Sequence, residues 1–194
     1  MIHIKRTVII IVIIILSIGL GYAYESVTVA LEKKSHPILY AEFVDKYSQE
    51  YSISPEIIYS IINTESGFKS DVVSNKGAVG LMQITRDTFD WLMTKTGEKL
   101  SDGLLYDPET NIKYGTFLLK YLFNEFEDWD LVFAAYNAGL NRVKNDWMNN
   151  PDYIKDGEIQ NIPFNETRNY IKKVNNNIDI YKKLYFSKDN QDKQ

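Results

Sequence analysis

Apolar residues recur at intervals of three and four through most of this 194-residue chain, and no segment alternates convincingly between apolar and polar residues. The first spacing is typical of amphipathic helices, whereas half-buried strands show the second. Helix start signals such as Ser54-Pro55-Glu56 and Asp107-Pro108-Glu109 precede apolar segments, and Gly67 and Gly139 follow them as typical helix ends. The chain is therefore predicted to form an all-α domain of about six to eight helices.

An almost continuous apolar run covers residues 8–23, and Lys5 and Arg6 precede it. A membrane-spanning helix needs about 20 apolar residues, with a lower limit of about 17. Because basic flanks stay in the cytoplasm, the rest of the chain is expected outside it. Residues 1–24 are predicted to be a signal anchor that crosses the cytoplasmic membrane once. The alternative is a cleaved signal peptide and a secreted domain, for which residues 21–23 offer a poor cleavage site.

The composition excludes several kinds of chemistry. The chain has no cysteine, which excludes disulfides, thiolate catalysis and Cys-based metal sites. It has only two histidines, so neither a His-rich metal site nor a Ser-His-Asp triad is expected, and we predict no metal and no cofactor. A formal net charge of −4 without a Lys/Arg cluster argues against nucleic acid as a partner. Any catalysis must use carboxylates, hydroxyls, amides and water.

One acid, Glu65, lies on an otherwise apolar helical stripe with Ile58, Ile61 and Ile62. Burial raises the pKa of a carboxyl group, and the partial negative charge at a helix C-terminus acts in the same direction. Both effects favour a carboxyl that stays protonated near neutral pH, as a general acid requires. A glutamate that reaches solvent around the helix end is the alternative interpretation.

Three further motifs, at residues 77–83, 134–139 and 166–170, carry polar groups that suit carbohydrate binding. Glycines allow a backbone to approach a polymer closely, and amide side chains offer both donors and acceptors to acetamido and hydroxyl groups. The candidate groups in these motifs are Gln83, Tyr136, Asn137, Glu166 and Tyr170, and Ser74, just before the first motif, could reach the same cleft. Each motif also has a purely structural interpretation, respectively a glycine turn, a tightly packed core helix and an acid that complements a helix N-terminus.

Taken together, the order and spacing of these motifs resemble those of the soluble lytic murein transglycosylase family. The matching segments are Glu65-Ser66-Gly67-Phe68, GAVGLMQIT at 77–85, DPETNI at 107–112 with Gly115, AAYNAG at 134–139 and IPFNETRNY at 162–170. The resemblance implies an all-α, goose-type lysozyme-like catalytic domain. We assign this domain to residues 37–186, after a linker at 25–36 and before a polar tail at 187–194.

The resemblance also implies a reaction. The expected substrate is the β-1,4 bond between N-acetylmuramic acid and N-acetylglucosamine in peptidoglycan glycan strands. Glu65 would protonate the leaving oxygen and then accept a proton from the muramic 6-hydroxyl, which leaves a 1,6-anhydro end. The residues implied to line the glycan cleft are Ser74, Gln83, Tyr136 and Glu166, and we add Asn137 and Tyr170 as substrate-binding candidates.

Two other functions stay open. A muramidase would hydrolyse the same bond and needs a second carboxylate, for which Asp71 and Asp87 are nearest in sequence, although both suit solvated positions. A wall-binding subunit of a secretion, conjugation or sporulation apparatus would hold glycan without cutting it. Such cell-envelope machinery is also a candidate partner of an active enzyme.

Overall fold

The structure is a computed structural model that describes residues 2–155, 158–159, 161–162 and 164–187. Pro163 of the IPFNETRNY motif and residues 188–194 of the predicted polar tail lie outside these ranges. The chain divides into two compact units, Met1–Pro37 and Ile38–Gln194, which are described separately.

The N-terminal unit is one long helix, α1 (Ile2–Ser35). Within it, Val12–Ser35 is long and apolar enough to cross a membrane, with a mean hydropathy of 1.7 and none of the span buried against protein. The helix continues through residues 25–35, so the segment predicted as a linker is helical as far as Ser35. At about 1.5 Å per residue, α1 is roughly 51 Å long and exceeds the roughly 30 Å of a bilayer hydrocarbon core.

The C-terminal unit is mainly helical, as the apolar spacing predicts. Its α-helices are α2 (Ala41–Tyr51), α3 (Pro55–Glu65), α4 (Arg86–Thr96), α5 (Pro108–Phe126), α6 (Trp129–Ala138) and α7 (Asn165–Tyr181). A 3₁₀-helix covers Asp102–Tyr106, and π-helical turns cover Arg142–Trp147 and Lys182–Phe186. The all-α fold class predicted from the sequence is confirmed.

The C-terminal unit also contains two small antiparallel hairpins, although no strand was predicted. In the first, β1 (Ala78–Val79) pairs with β2 (Ile84–Thr85), with Ala78 opposite Thr85. In the second, β3 (Ile154–Lys155) pairs with β4 (Glu158–Ile159). A two-residue strand is too short for alternation to appear in the sequence, which explains why neither hairpin was predicted.

Side-chain caps fix several helix starts. The hydroxyl of Thr85 accepts a hydrogen bond from the backbone N–H of Thr88 at the start of α4, and Asp107 accepts one from Thr110 at the start of α5. At the start of α6, Asp128 accepts a hydrogen bond from the backbone N–H of Leu131. These carboxylates and hydroxyls satisfy backbone donors that have no partner inside a helix.

Close packing of α3 against α7, α2 against α5, and α6 against both α5 and α7 forms the core of this unit. Ile58, Ile61 and Ile62 of α3 are fully buried, and so is Val174 of α7. Burying such side chains stabilises the fold by about 1.5–3 kcal/mol each. The apolar stripe of α3 therefore faces the core, and its last residue, Glu65, is carried to the place where α3 meets α7.

Candidate active site

Glu65 is the last residue of α3 and is mostly screened from solvent by the helices around it. Burial raises the pKa of its carboxyl to about 7, because desolvation disfavours the charged form. A hydrogen bond from Tyr170 and the positive charge of Lys173 oppose this rise. Desolvation is the larger effect, so the group holds a proton near neutral pH and has the property of a general acid.

Tyr170 holds the carboxyl in place. Its hydroxyl, on the second turn of α7, donates a hydrogen bond of 2.6 Å to Glu65 Oε1. The tyrosine is itself buried, which raises the pKa of its phenol well above 10, and the Glu65 charge raises it further. The phenol therefore stays protonated and can donate to the carboxylate form of Glu65. Glycan binding by Tyr170 stays a prediction, and its contact with the acid is a finding that the sequence did not reveal.

Lys173 and Thr64 are further neighbours of the acid that the sequence analysis missed. The ammonium of Lys173 donates to the backbone oxygen of Thr64, the residue before Glu65, at 3.1 Å. Lys173 follows Tyr170 by three residues, so both lie on the same side of α7. This spacing was visible in the sequence, but no local signal linked α7 to α3.

The hairpin β1–β2 and the loop before it form a wall next to the acid. Ser66 follows Glu65 and donates from its hydroxyl to the backbone oxygen of Leu81 at 2.8 Å. Gln83 lies in the same hairpin with a left-handed φ of 51°. Its amide nitrogen donates to Val72 O at 3.1 Å and to Gly80 O at 2.9 Å. The Gln83 side chain therefore folds the loop onto the hairpin and leaves its amide oxygen as the group that can receive a ligand.

Asn111 holds this wall in place by hydrogen bonds to its backbone. It was not predicted as a site residue, although it lies in the DPETNI motif. Its side chain is almost fully buried and accepts from Met82 N at 2.7 Å. It also donates to Val79 O at 2.9 Å and Leu105 O at 2.8 Å. Gly80 makes this approach possible, because a Cβ at Gly80 would lie 2.8 Å from Asn111 Cγ. A buried asparagine with three backbone partners is a rigid brace.

Tyr136 and Asn137 join the end of α6 to two other parts of the site. The Tyr136 hydroxyl donates to the backbone oxygen of Met82 at 2.8 Å, and Asn137 accepts from the hydroxyl of Thr167 on α7 at 2.8 Å. Burial, followed by the nearby charge of Glu65, raises the pKa of Tyr136 well above 10. Tyr136 is thus brought close to the acid, while Asn137 contacts the first turn of α7.

Ser74 and Glu166 lie at the rim of the site. The hydroxyl of Ser74 accepts from the backbone N–H of Ala78 at 3.0 Å, which closes the turn that leads into β1. Glu166 is exposed in the first turn of α7. It forms an ion pair of 3.5 Å with Lys76, which is exposed in the turn between Ser74 and Ala78. The turn and α7 therefore face each other. Among the described residues, no group of three or more His, Cys, Asp or Glu side chains is arranged to hold a metal ion.

Comparison with known proteins places this arrangement in context. Soluble lytic murein transglycosylase of Salmonella typhimurium is 36% identical over an alignment of 144 residues that covers 71% of this chain and 22% of that protein. Membrane-bound lytic murein transglycosylase C of Sodalis glossinidius is 32% identical over 171 residues, covering 75% of this chain and 47% of that protein. The chain thus spans between a fifth and a half of the length of these relatives.

A solved structure supports the same grouping. The crystal structure of the 70 kDa soluble lytic transglycosylase from Escherichia coli superposes with a TM-score of 0.71 at 33% identity, covering 79% of this chain and 25% of that one. The predicted lysozyme-like helical fold is therefore confirmed. The profile of the Transglycosylase SLT domain family matches residues 42–159, which are more than half of the chain. The chain belongs to the Transglycosylase SLT domain family.

Proposed function

We propose that this chain is a peptidoglycan lytic transglycosylase that cleaves the β-1,4 bond between N-acetylmuramic acid and N-acetylglucosamine. The observation that carries the proposal is Glu65, a buried carboxyl with a pKa of about 7 that Tyr170 orients. The relatives named lytic murein transglycosylase support the substrate and the reaction class.

Glu65 acts twice in the proposed reaction. First, its carboxyl proton goes to the glycosidic oxygen, and the bond between that oxygen and C1 of the muramic sugar breaks. The carboxylate then takes the proton of the muramic 6-hydroxyl, whose oxygen bonds to C1 of the same sugar. No water is consumed, the product carries a 1,6-anhydro end, and Glu65 is protonated again. A pKa near 7 suits a group that must give and take a proton in one cycle.

The surroundings of Glu65 favour this route over hydrolysis. A hydrolase with an inverting mechanism needs a second carboxylate about 6.5–9.5 Å away to activate water. Within the described residues, no other acid perturbs the pKa of Glu65, and both Asp71 and Asp87 are exposed. The 6-hydroxyl of the substrate supplies the nucleophile, so the enzyme needs only one carboxylate.

Polar groups around the acid are proposed to hold the glycan. The Gln83 amide oxygen would accept from an acetamido N–H or a hydroxyl, and Glu166 would accept from sugar hydroxyls at the rim. Ser74, Tyr136 and Asn137 shape the same walls through the hydrogen bonds described above. Glycan binding by Tyr170 stays part of the proposal, in addition to its hydrogen bond to the Glu65 carboxyl.

Digestion of purified peptidoglycan by the full chain in detergent, with mass spectrometry of the released muropeptides, tests the proposal. We expect products lighter than hydrolysis products by the mass of one water, and none from Glu65→Gln. Reducing-end products would instead indicate a muramidase. A folded, glycan-binding chain that releases nothing would indicate the wall-binding role. Asp71→Asn is the matched control, because it neutralises an exposed acid in the following loop, and we expect it to retain activity.

We also propose that α1 anchors the chain in the cytoplasmic membrane with Lys5 and Arg6 on the cytoplasmic side. The apolar span and the relative named as membrane-bound support this. Fractionated cells should contain the chain in the membrane pellet after an alkaline carbonate wash. Protease added to cells with a permeabilised wall should degrade the domain. A chain found in the medium and lacking residues 1–23 would indicate cleavage instead.

A further inference from the structure

The last turn of α3, which carries Glu65, is held by a row of polar side chains on α7. Their spacing of three and four residues places them on one side of that helix. They are Tyr170, Lys173, Asn177 and Tyr181. The first of them donates to Glu65 itself. The next two both contact Thr64, the residue before the acid.

Thr64 is held at two points, one neutral and one charged. The amide of Asn177 donates to the hydroxyl of Thr64 at 2.9 Å, and Asn177 is buried. The ammonium of Lys173 donates to the backbone oxygen of Thr64 at 3.1 Å, and Lys173 is exposed. Lys173 forms no ion pair with any residue that the structure describes, so no fixed partner neutralises its charge.

The ammonium of Lys173 lies at a helix end where negative charge accumulates. The backbone oxygen of Thr64 is among the last four of α3, which have no partner inside the helix and carry a partial negative charge. Glu65 adds a full negative charge whenever it loses its proton. The positive charge of Lys173 favours that charged form and lowers the pKa of Glu65, against the larger effect of burial.

No other charged group of the described part of the chain takes this place. Tyr170 and Tyr136 lie near Glu65 on α7 and α6, but both are neutral because burial raises the pKa of each phenol well above 10. The β1–β2 hairpin, residues 78–85, contains no charged residue. Among the charged residues that the structure describes, Lys173 is the one whose charge shifts the pKa of Glu65.

We propose that Lys173 is a positioning residue of the active site that stabilises the carboxylate which Glu65 becomes halfway through the reaction, a role that rests on the proposed function. Once the proton of Glu65 has gone to the glycosidic oxygen, the carboxylate keeps its charge until it takes the proton of the muramic 6-hydroxyl. A cation tied to the end of α3 lowers the cost of that charge throughout the interval.

The test measures kcat/KM against pH for the full chain in detergent, acting on soluble glycan chains. Lys173→Gln should move the alkaline limb to higher pH by about half a pH unit, as expected for the two- to fivefold effect of one charge at a helix C-terminus. Below about pH 6, activity should fall by about two- to fivefold, because a weaker acid gives up its proton less readily. Lys173→Arg keeps the charge and should restore both.

Two further variants separate the charge from the tether. Asn177→Ala removes a neutral contact to Thr64 and should leave the alkaline limb in place, whatever loss of rate it causes. Lys172→Gln removes an equal charge from an exposed neighbour on another side of α7 and should change neither limb nor rate. A limb that stays in place with Lys173→Gln, or that moves equally with Asn177→Ala, would overturn the proposal.

Carbon-13 NMR of labelled glutamate carboxyls follows the ionisation of Glu65 without substrate, and Glu65→Gln identifies its signal. Lys173→Gln should raise the midpoint of that titration. A raised midpoint in a chain that releases no 1,6-anhydro products would show that Lys173 stabilises the carboxylate even where the proposed reaction fails. An unchanged midpoint, together with 1,6-anhydro products from the native chain, would refute the role of Lys173 alone.

Discussion

Glu65 and Tyr170 are 105 residues apart in sequence, and their side chains meet in a hydrogen bond of 2.6 Å. The phenol donates, so it stabilises the charged form of the carboxyl, while burial stabilises the neutral form. The pKa of about 7 is the balance of these opposed effects together with the smaller one of Lys173. Altering one side of the balance should therefore shift the pKa in a direction that can be stated in advance.

Tyr170→Phe removes the donor and leaves the burial. The pKa of Glu65 should rise above 7, so the alkaline limb of the profile of kcat/KM against pH should move to higher pH. Below pH 7 the acid still has its proton but is less well oriented, and we expect a loss of about tenfold. Tyr106→Phe, at an exposed tyrosine, is the control. An alkaline limb that stays in place would show that Glu65 does not govern it.

Glu65→Gln should stabilise the fold, and more so at high pH. In the unfolded chain Glu65 ionises near pH 4.5, whereas in the folded chain it keeps its proton until about pH 7. Unfolding therefore releases a proton between these values, and the free energy of unfolding of the native chain falls as pH rises through this window. Glutamine does not titrate, so its advantage should grow by about 2–3 kcal/mol from pH 4.5 to pH 8.

Urea unfolding followed by tryptophan fluorescence measures this difference. Trp91, Trp129 and Trp147 all lie in the C-terminal unit, so the signal reports that unit and not α1. Glu127→Gln, at the end of α5, is a matched control for the loss of one carboxyl charge. An advantage of the same size at both pH values would contradict a raised pKa for Glu65.

Asn111→Ala should destabilise the C-terminal unit by about 3 kcal/mol or more. The change leaves Met82 N, Val79 O and Leu105 O without their side-chain partner in a buried place. The control is Asn149→Ala, which removes an exposed amide with one local hydrogen bond. Urea unfolding of both variants gives the comparison. Equal stability of the two would show that the brace is replaced by water or by a shift of the hairpin.

Gly115→Ala should destabilise the same unit despite its helical position. Alanine favours a helix over glycine by about 1 kcal/mol. At Gly115, however, a Cβ would lie 2.8 Å from Cβ of fully buried Met82, and overpacking of this kind costs about 1–3 kcal/mol. We expect a net loss of about 1 kcal/mol in urea and a loss of activity, because Met82 belongs to the wall of the site. Gly103→Ala, with open space around its Cβ, should be tolerated.

Local signals explain what the sequence predicts correctly. The bounds of α4 follow from Thr85 as a cap at one end and Gly97, with φ of 75°, at the other. The apolar stripe of α3 predicts a desolvated Glu65, and the raised pKa agrees with it. The start of α7 has no such signal, because its cap residue, Phe164, offers no side-chain hydrogen bond and Asn165 is already the first residue of the helix.

Long-range partners explain what the sequence does not predict. The brace from Asn111 to Met82 spans 29 residues, and the bond from Tyr136 to Met82 O spans 54. No periodicity or cap signal specifies such pairs, because they depend on how the helices pack. The roles of Ser74, Gln83, Asn137 and Glu166 in glycan binding stay predictions.

The links that hold the β1–β2 hairpin end on its backbone. Ser66 donates to Leu81 O, and Met82 uses its N–H for Asn111 and its oxygen for Tyr136. The frame of the wall is therefore independent of the side chains that project from it towards solvent. Ala78 is partly exposed, and under the proposed function it is thus a position where mutation would change which glycans fit while Glu65 keeps its place. Evolution or protein design could therefore alter glycan selectivity at this position without moving Glu65 or Tyr170.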